Sequence, residues 1–204
     1  MRPSATPQDT GWIEVITGCM FSGKTEELIR RIRRAQYAHQ SVVVFKPTID
    51  RRYSTDSLGS HSGHRLRSFL VDRAAEIPSK VGDAQVVGID EAQFFDAGLV
   101  GVASDLADAG RRVVVAGLDL DSQGRPFGPM PDLLATAEYI DKMLAICVVC
   151  GNPADRTQRI VDRDAQILVG EADAYEARCR RCWRPHAFAP AQERLPFGRN
   201  LADP

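Results

Sequence analysis

Gly18-Cys19-Met20-Phe21-Ser22-Gly23-Lys24-Thr25 carries the G-x-x-x-x-G-K-T spacing of a loop built to hold phosphate. Its glycines let successive backbone N–H groups turn inward on an anion. Lys24 supplies a cation for β- and γ-phosphates, and Thr25 offers a hydroxyl to Mg²⁺. Gly18, Met20, Phe21, Ser22, Gly23, Lys24 and Thr25 are therefore the expected nucleotide contacts. Further on, the apolar run Val86-Val87-Gly88-Ile89 ends in Asp90-Glu91. Beside such a phosphate loop, the first acid after an apolar strand orients Mg²⁺, which assigns that role to Asp90. Glu91 follows at the carboxyl edge of the sheet, placed to take a proton from an attacking hydroxyl or water. A solvated acidic turn is the plain alternative, and the phosphate loop weighs against it.

A second chemistry lies in Cys147-Val148-Val149-Cys150 and Cys179-Arg180-Arg181-Cys182. Each two-residue spacer lets both thiolates of a knuckle converge on one tetrahedral Zn²⁺, and four thiolates leave no open position, so the expected zinc is structural. A redox dithiol or four unrelated buried thiols are the alternatives. The long stretch between the knuckles exceeds the spacing of a compact ribbon and must make an extended excursion. His186, just beyond the second knuckle, could substitute as a ligand but reads rather as a surface residue, and Cys19 reads as a small residue tolerated in the phosphate loop.

These residues need a scaffold, and the pattern supplies one. Strands are expected at 12–17, 41–46, 84–90, 112–117 and about 142–146, several of them continuous β-branched runs suited to burial on both faces of a parallel sheet. Helical patterns at 24–39, 69–77 and 97–109 alternate with them, which predicts a doubly wound α/β domain. Residues 47–66 and 118–131 read as loops, the second ordered but irregular. The chain divides into a lead at 1–11, a nucleotide-binding domain at 12–146, a cysteine module at 147–186 and a loosely attached tail at 187–204.

Composition narrows the partners. A net charge of -1 gives no global basic field for wrapping nucleic acid. No run of 18 apolar residues occurs, so no membrane-spanning helix is expected. The N-terminal residues lack the apolar core of a secretion signal, so the five cysteines point to a reducing compartment, the cytoplasm. Lysine occurs only at 24, 46, 80 and 142, so arginine carries nearly all the positive charge and the lysine of the phosphate loop is less easily incidental.

Taken together, these motifs resemble the cellular (type II) thymidine kinase family. GCMFSGKTEELIRRIRRAQYA is similar to its phosphate loop and first helix, KPTIDRRY to the loop that follows, GIDEAQFF to its acidic motif and PFG at 126–128 to a later loop. CVVC and GEADAYEARCRRC continue the likeness, which spans roughly residues 12–183. The resemblance implies a P-loop, RecA-like core with a mostly parallel sheet flanked by helices, and a small zinc-bearing domain whose lasso closes over a nucleoside. It implies ATP, Mg²⁺ and a structural Zn²⁺. It gives Glu91 the role of base toward the 5′-hydroxyl of thymidine, with Lys24 at the transferred phosphate. It places Met20, Gln93, Phe94, Leu118, Phe127, Thr157, Leu168 and Tyr175 around the nucleoside, and Asp50 and Arg52 near the sugar-phosphate region. A homotetramer, acceptance of deoxyuridine and feedback by dTTP belong to the same implication. Ser122 departs from the family, which usually has an aromatic there.

Two readings of another class remain beside it. One is a P-loop ATPase whose zinc ribbon, basic at Arg178, Arg180, Arg181 and Arg184, binds nucleic acid. The other is a nucleotide-binding regulator without turnover.

Overall fold

The computed structural model describes residues 10–49, 67–161 and 174–185. Residues 1–9, 50–66, 162–173 and 186–204 lie outside the described residues, and with them most of the lead, the tail, His186 and the expectations for Asp50, Arg52 and Leu168.

Six strands form the central sheet: β1 (Trp12–Thr17), β2 (Val42–Pro47), β3 (Arg67–Val71), β4 (Val86–Ile89), β5 (Arg112–Gly117) and β6 (Tyr139–Lys142). Their order is β3-β2-β4-β5-β1-β6, and every pairing is parallel. The four central strands alternate their side chains between two cores. Ile13, Val15, Val43, Phe45, Val87, Ile89, Val113 and Val115 face one side, where α3 (Gly98–Asp108), α4 (Met130–Thr136) and the short α2 (Ile77–Val81) cover them. Ile16, Val44, Val86, Val114 and Ala116 face α1 (Lys24–Tyr37), which buries Leu28, Ile32 and Ala35 against them. Burial on both faces is why these strands read as unbroken apolar runs. At Gly88 a Cβ would sit 3.2 Å from Ile32 Cδ1, so glycine lets α1 lie close on the sheet.

Three expectations are corrected. The helical pattern at 69–77 is instead the end of β3, a short 3-10 turn at Ala74–Glu76 and the start of α2. Phe69 is held in a strand because it lies opposite Phe45 of β2 and stacks on it at 5.7 Å. The last sheet strand ends at Lys142 rather than covering 142–146. Ala145–Ile146 forms its own strand, β7, antiparallel to β8 (Pro153–Ala154). The loop at 118–131 gives way to α4 at Met130, where a proline in the first turn suits a helix start rather than a loop.

The chain leaving β1 moves toward β2 on one side, and the chain leaving β5 crosses β1 to reach β6 on the other. That divergence opens a crevice beyond the carboxyl ends of β1 and β5, the place where open α/β sheets bind ligands.

Candidate functional site

The phosphate loop occupies that crevice, between β1 and α1. Gly18 (φ 138) and Gly23 (φ 84) adopt backbone angles that side chains resist, and Phe21 shares the left-handed region at φ 66. A Cβ on Gly18 would collide with the Met143 carbonyl, so glycine is required where the loop rests on the chain leaving β6. Ser22 Oγ and Lys24 Nζ both donate to the Cys19 carbonyl, at 2.8 and 2.7 Å. Burial pulls the Lys24 ammonium below the usual lysine range, and the nearby charges that oppose the shift are led by Glu91. Glu26 and Glu27 fill the first turn of α1, where the dipole favours acids.

Asp90 stands at the end of β4, with β5 between it and the phosphate-loop strand. Thr25 Oγ1 nevertheless reaches Asp90 Oδ1 at 3.3 Å, so the expected Mg²⁺ pair is brought together. Lys46, at the end of β2, completes the cluster by pairing with Asp90 Oδ2 at 2.9 Å in a buried position. Sequence reasoning missed Lys46, since a lysine near a strand end reads as a solvated charge. The signal was the scarcity of lysine: Lys24, Lys46 and Lys142 all lie at the carboxyl end of the sheet, and Lys142 bonds the buried Asp119 at 2.5 Å.

Glu91 follows in left-handed backbone, φ 52, an uncommon conformation for a residue with a side chain. Gln93 Nε2 donates to Glu91 Oε2 at 2.6 Å, and the Leu118 amide donates to Gln93 Oε1 at 2.9 Å. Phe94 and Phe127, both half-buried, meet edge to face with centroids 5.6 Å apart. Gly128 (φ 51) packs so closely on Gln93 that a Cβ would strike the Gln93 carbonyl. The Met20 amide donates to Thr157 Oγ1 at 3.1 Å. Glu91, Gln93, Phe94, Leu118 and Phe127 thus form one cluster, and Met20 joins Thr157 on β9 (Arg156–Arg159). Tyr175 opens β10 (Tyr175–Arg178), across the antiparallel ribbon from Arg159.

The cysteines converge. All four Sγ atoms of Cys147, Cys150, Cys179 and Cys182 lie within 4.8 Å of one another, and Cys150 is 3.6 Å from both Cys179 and Cys182. Tetrahedral ligands about 2.3 Å from zinc stand about 3.8 Å apart, whereas a disulfide would bring two sulfurs to about 2.0 Å. The spacing therefore fits a Zn²⁺ tetrathiolate. Each knuckle is a tight turn: the Gly151 amide bonds the Cys147 carbonyl at 2.9 Å, and the Cys182 amide bonds the Cys179 carbonyl at 3.0 Å. A hydrogen bond from the Asn152 backbone first, then from its sister thiols, draws Cys150 down to about 6. Lost solvation first, then the same thiols, pushes Cys182 up to about 12. A divalent cation would favour thiolates at all four positions. Cys19 is not a bystander: it is buried, donates to the Ala154 carbonyl at 3.3 Å and packs with Ala145, Cys147 and Ala177. Arg178 is buried against Glu176 at 2.9 Å, so it adds nothing to an exposed basic face.

The model of the family described as thymidine kinase matches residues 11–183. A protein named thymidine kinase from Rhodothermus sp. (strain ITI 518) is 58% identical over 175 residues, covering 86% of this chain and 82% of that relative. Another of that name, from Bdellovibrio bacteriovorus, is 55% identical over 181 residues, covering 88% and 89%. The chain belongs to the thymidine kinase family. A thymidine kinase family member is an ATP-dependent phosphotransferase. Among the described residues, no helix is long and apolar enough to cross a membrane.

Proposed function

We propose that this chain transfers the γ-phosphate of MgATP to the 5′-hydroxyl of thymidine, and also of deoxyuridine, producing the monophosphate for DNA synthesis. The observation that carries the reading is the convergence of Thr25, Asp90 and Lys46 one residue from Glu91, at the mouth of the phosphate loop. The loop amides of Gly18 to Thr25 and the Lys24 ammonium hold the triphosphate, with Asp50 and Arg52 near the sugar-phosphate region. Mg²⁺ travels with ATP as substrate and neutralises charge on the phosphoryl group. Phosphoryl transfer has a loose transition state, so positioning and electrostatics supply most of the acceleration. Glu91 takes the proton of the 5′-hydroxyl.

Met20, Gln93, Phe94, Leu118, Phe127, Thr157, Leu168 and Tyr175 surround the nucleoside. Residues 12–146 form the catalytic domain. Residues 147–186 form the lasso domain, held by Zn²⁺ on Cys147, Cys150, Cys179 and Cys182. The enzyme works in the cytoplasm as a homotetramer and takes dTTP as a feedback ligand.

The test is nucleoside-stimulated ADP formation. Thymidine and deoxyuridine should stimulate, and deoxycytidine should not, because a site of fixed donors and acceptors is left unpaired by the wrong base. Glu91→Gln should lower kcat by about 10²–10⁴-fold with both substrates still bound. Stimulation by single-stranded DNA in place of thymidine would favour the ATPase reading.

A further inference from the structure

We infer that Gln93, among the residues around the nucleoside, acts as a positioning residue for Glu91, fixing the carboxylate that takes the nucleoside proton, and does not itself bind the nucleoside. The inference rests on the proposed role of Glu91 and deepens it. Gln93 is 2% exposed, and both ends of its carboxamide are engaged by protein.

The orientation of that amide follows from its partner. A backbone N–H can only donate, so the Leu118 amide must face the Gln93 oxygen, here at 2.9 Å. The NH₂ end is then turned on Glu91 Oε2 at 2.6 Å, and a group that only donates there requires Glu91 to accept. A donor aimed at a carboxylate favours its ionised form, the form a general base needs.

The surroundings leave Gln93 little freedom to turn elsewhere. A Cβ on Gly117 would lie 3.0 Å from Gln93 Oε1 and 2.6 Å from Met130 Sδ. A Cβ on Gly128 would strike the Gln93 carbonyl. The glycine at the end of β5 thus makes room for this side chain, and the glycine beside Phe127 for its backbone carbonyl. Glu91 itself has left-handed backbone at φ 52, and its amide donates to Asp90 Oδ1 at 3.0 Å. Its carboxylate is therefore aimed by a turn anchored on the Mg²⁺ acid and by the Gln93 clamp.

The experiment is a double-mutant cycle on the full-length enzyme with thymidine and MgATP. Gln93→Met keeps approximate volume and removes both polar ends. Gln93→Glu keeps an acceptor for the Leu118 amide and exchanges the donor for a carboxylate oxygen that repels Glu91. Each should lower kcat by about 10- to 100-fold, with KM for both substrates held within about threefold, the pattern of an interaction used in the transition state. In a Glu91→Gln background, Gln93→Met should change kcat by less than about twofold, because residues acting as a unit are not additive. A full further loss in that background, or a raised thymidine KM with kcat intact, would overturn the positioning role and make Gln93 a direct contact. Should Gln93→Met not fold, the kcat and KM of Gln93→Glu decide the matter. Failure of the underlying reading looks different: Glu91→Gln alone would then keep full kcat, whatever Gln93 does.

Discussion

The sheet encloses Phe45, Ile89, Leu99, Met130 and a run of valines, whereas the cysteine module packs Cys19, Ala145, Cys147, Ala154, Ala177 and Cys179. Branched and aromatic side chains bury enough apolar surface to hold a fold, at about 25 cal/mol per Å². Alanines and thiols do not, and the two ribbons of the module, β7–β8 and β9–β10, are short. A region with so little bulk needs a cross-link, and its four cysteines stand at a spacing that could supply one through a metal ion. Two ways of holding a chain therefore meet at the phosphate loop, since Cys19 and Met20 bond to Ala154 and Thr157 of the module.

Removing metal should separate the two regions most sharply. Structural zinc sites bind with about 10–16 kcal/mol, so their loss exceeds what the module's own contacts can replace. Chelation, or Cys147→Ser, should abolish amide protection in residues 145–160 and 174–185 while β1, β4 and β5 remain protected. Nucleoside binding should fall with it. A module that stays protected in metal-free protein would show that its small-residue core suffices.

The converse perturbation belongs to the sheet. Phe45 is fully buried and stacks on Phe69. Phe45→Ala should cost about 3–5 kcal/mol in denaturant unfolding, with zinc stoichiometry unchanged in the folded protein. A loss below about 1 kcal/mol would mean that the site collapses to fill the gap and the core is looser than its burial implies.

What could be read in advance follows the same division. The phosphate loop, β1, α1, β4, α3 and β5 were legible because central strands and their crossovers carry their own pattern. β3 was not. Its Phe69 and Leu70 precede Ala74-Ala75-Glu76, a composition that suits a helix, and only pairing with β2 makes a strand of it. β6 was displaced because it is an edge strand of alternating exposure, and the apolar residues after it belong to β7. The cysteine spacing announced a cluster that could hold a metal ion, yet the bond from Cys19 to Ala154 joins residues 135 apart and had no local signal. Lys46 and Gln93 share that reason: each acquires its meaning from a partner on another strand or loop.

The sheet also carries a polar brace between α1, β1 and β5, which tests how apolar its stabilisation is. Arg31 of α1 is buried and bonds Glu14 Oε2 at 2.6 Å and Glu27 Oε1 at 2.8 Å, and it also pairs with Asp141. Arg112 and Trp12 bond the other Glu14 oxygen at 2.7 and 2.8 Å. Burial pushes Glu14 up, but the bonds from Arg112 and Trp12, with the charges of Arg112 and Arg31, hold it below the usual carboxylate range. Removing one partner leaves the others' charge uncompensated, so Arg31→Met should cost about 3 kcal/mol. An unchanged unfolding midpoint would show that Arg112 alone neutralises Glu14.

The smallest expected effect lies on the solvent side of that brace and appears as a pH dependence. Glu27 accepts from Arg30 Nε at 2.6 Å and from Arg31 Nε at 2.8 Å. The Arg30 bonds first, opposed by partial burial, then those of Arg31 with both guanidinium charges, hold its carboxyl down at about 2, against 4.5 unperturbed. A carboxyl depressed in the folded state stabilises it at pH above the unfolded value, and that stabilisation is lost as pH falls from about 4.5 toward about 2. Arg30 is largely exposed, so screening limits the contribution to about 0.5 kcal/mol. Glu27→Gln keeps the size and removes the titration. The melting temperatures of wild type and variant should therefore differ at pH 7, draw together as the pH falls below about 4.5 and converge only near pH 2. Acid release of a metal from the cysteines acts on both proteins alike, so the difference between them isolates Glu27. A difference that stays constant from pH 7 to pH 3 would assign the stabilisation to packing of the side chain and not to its charge.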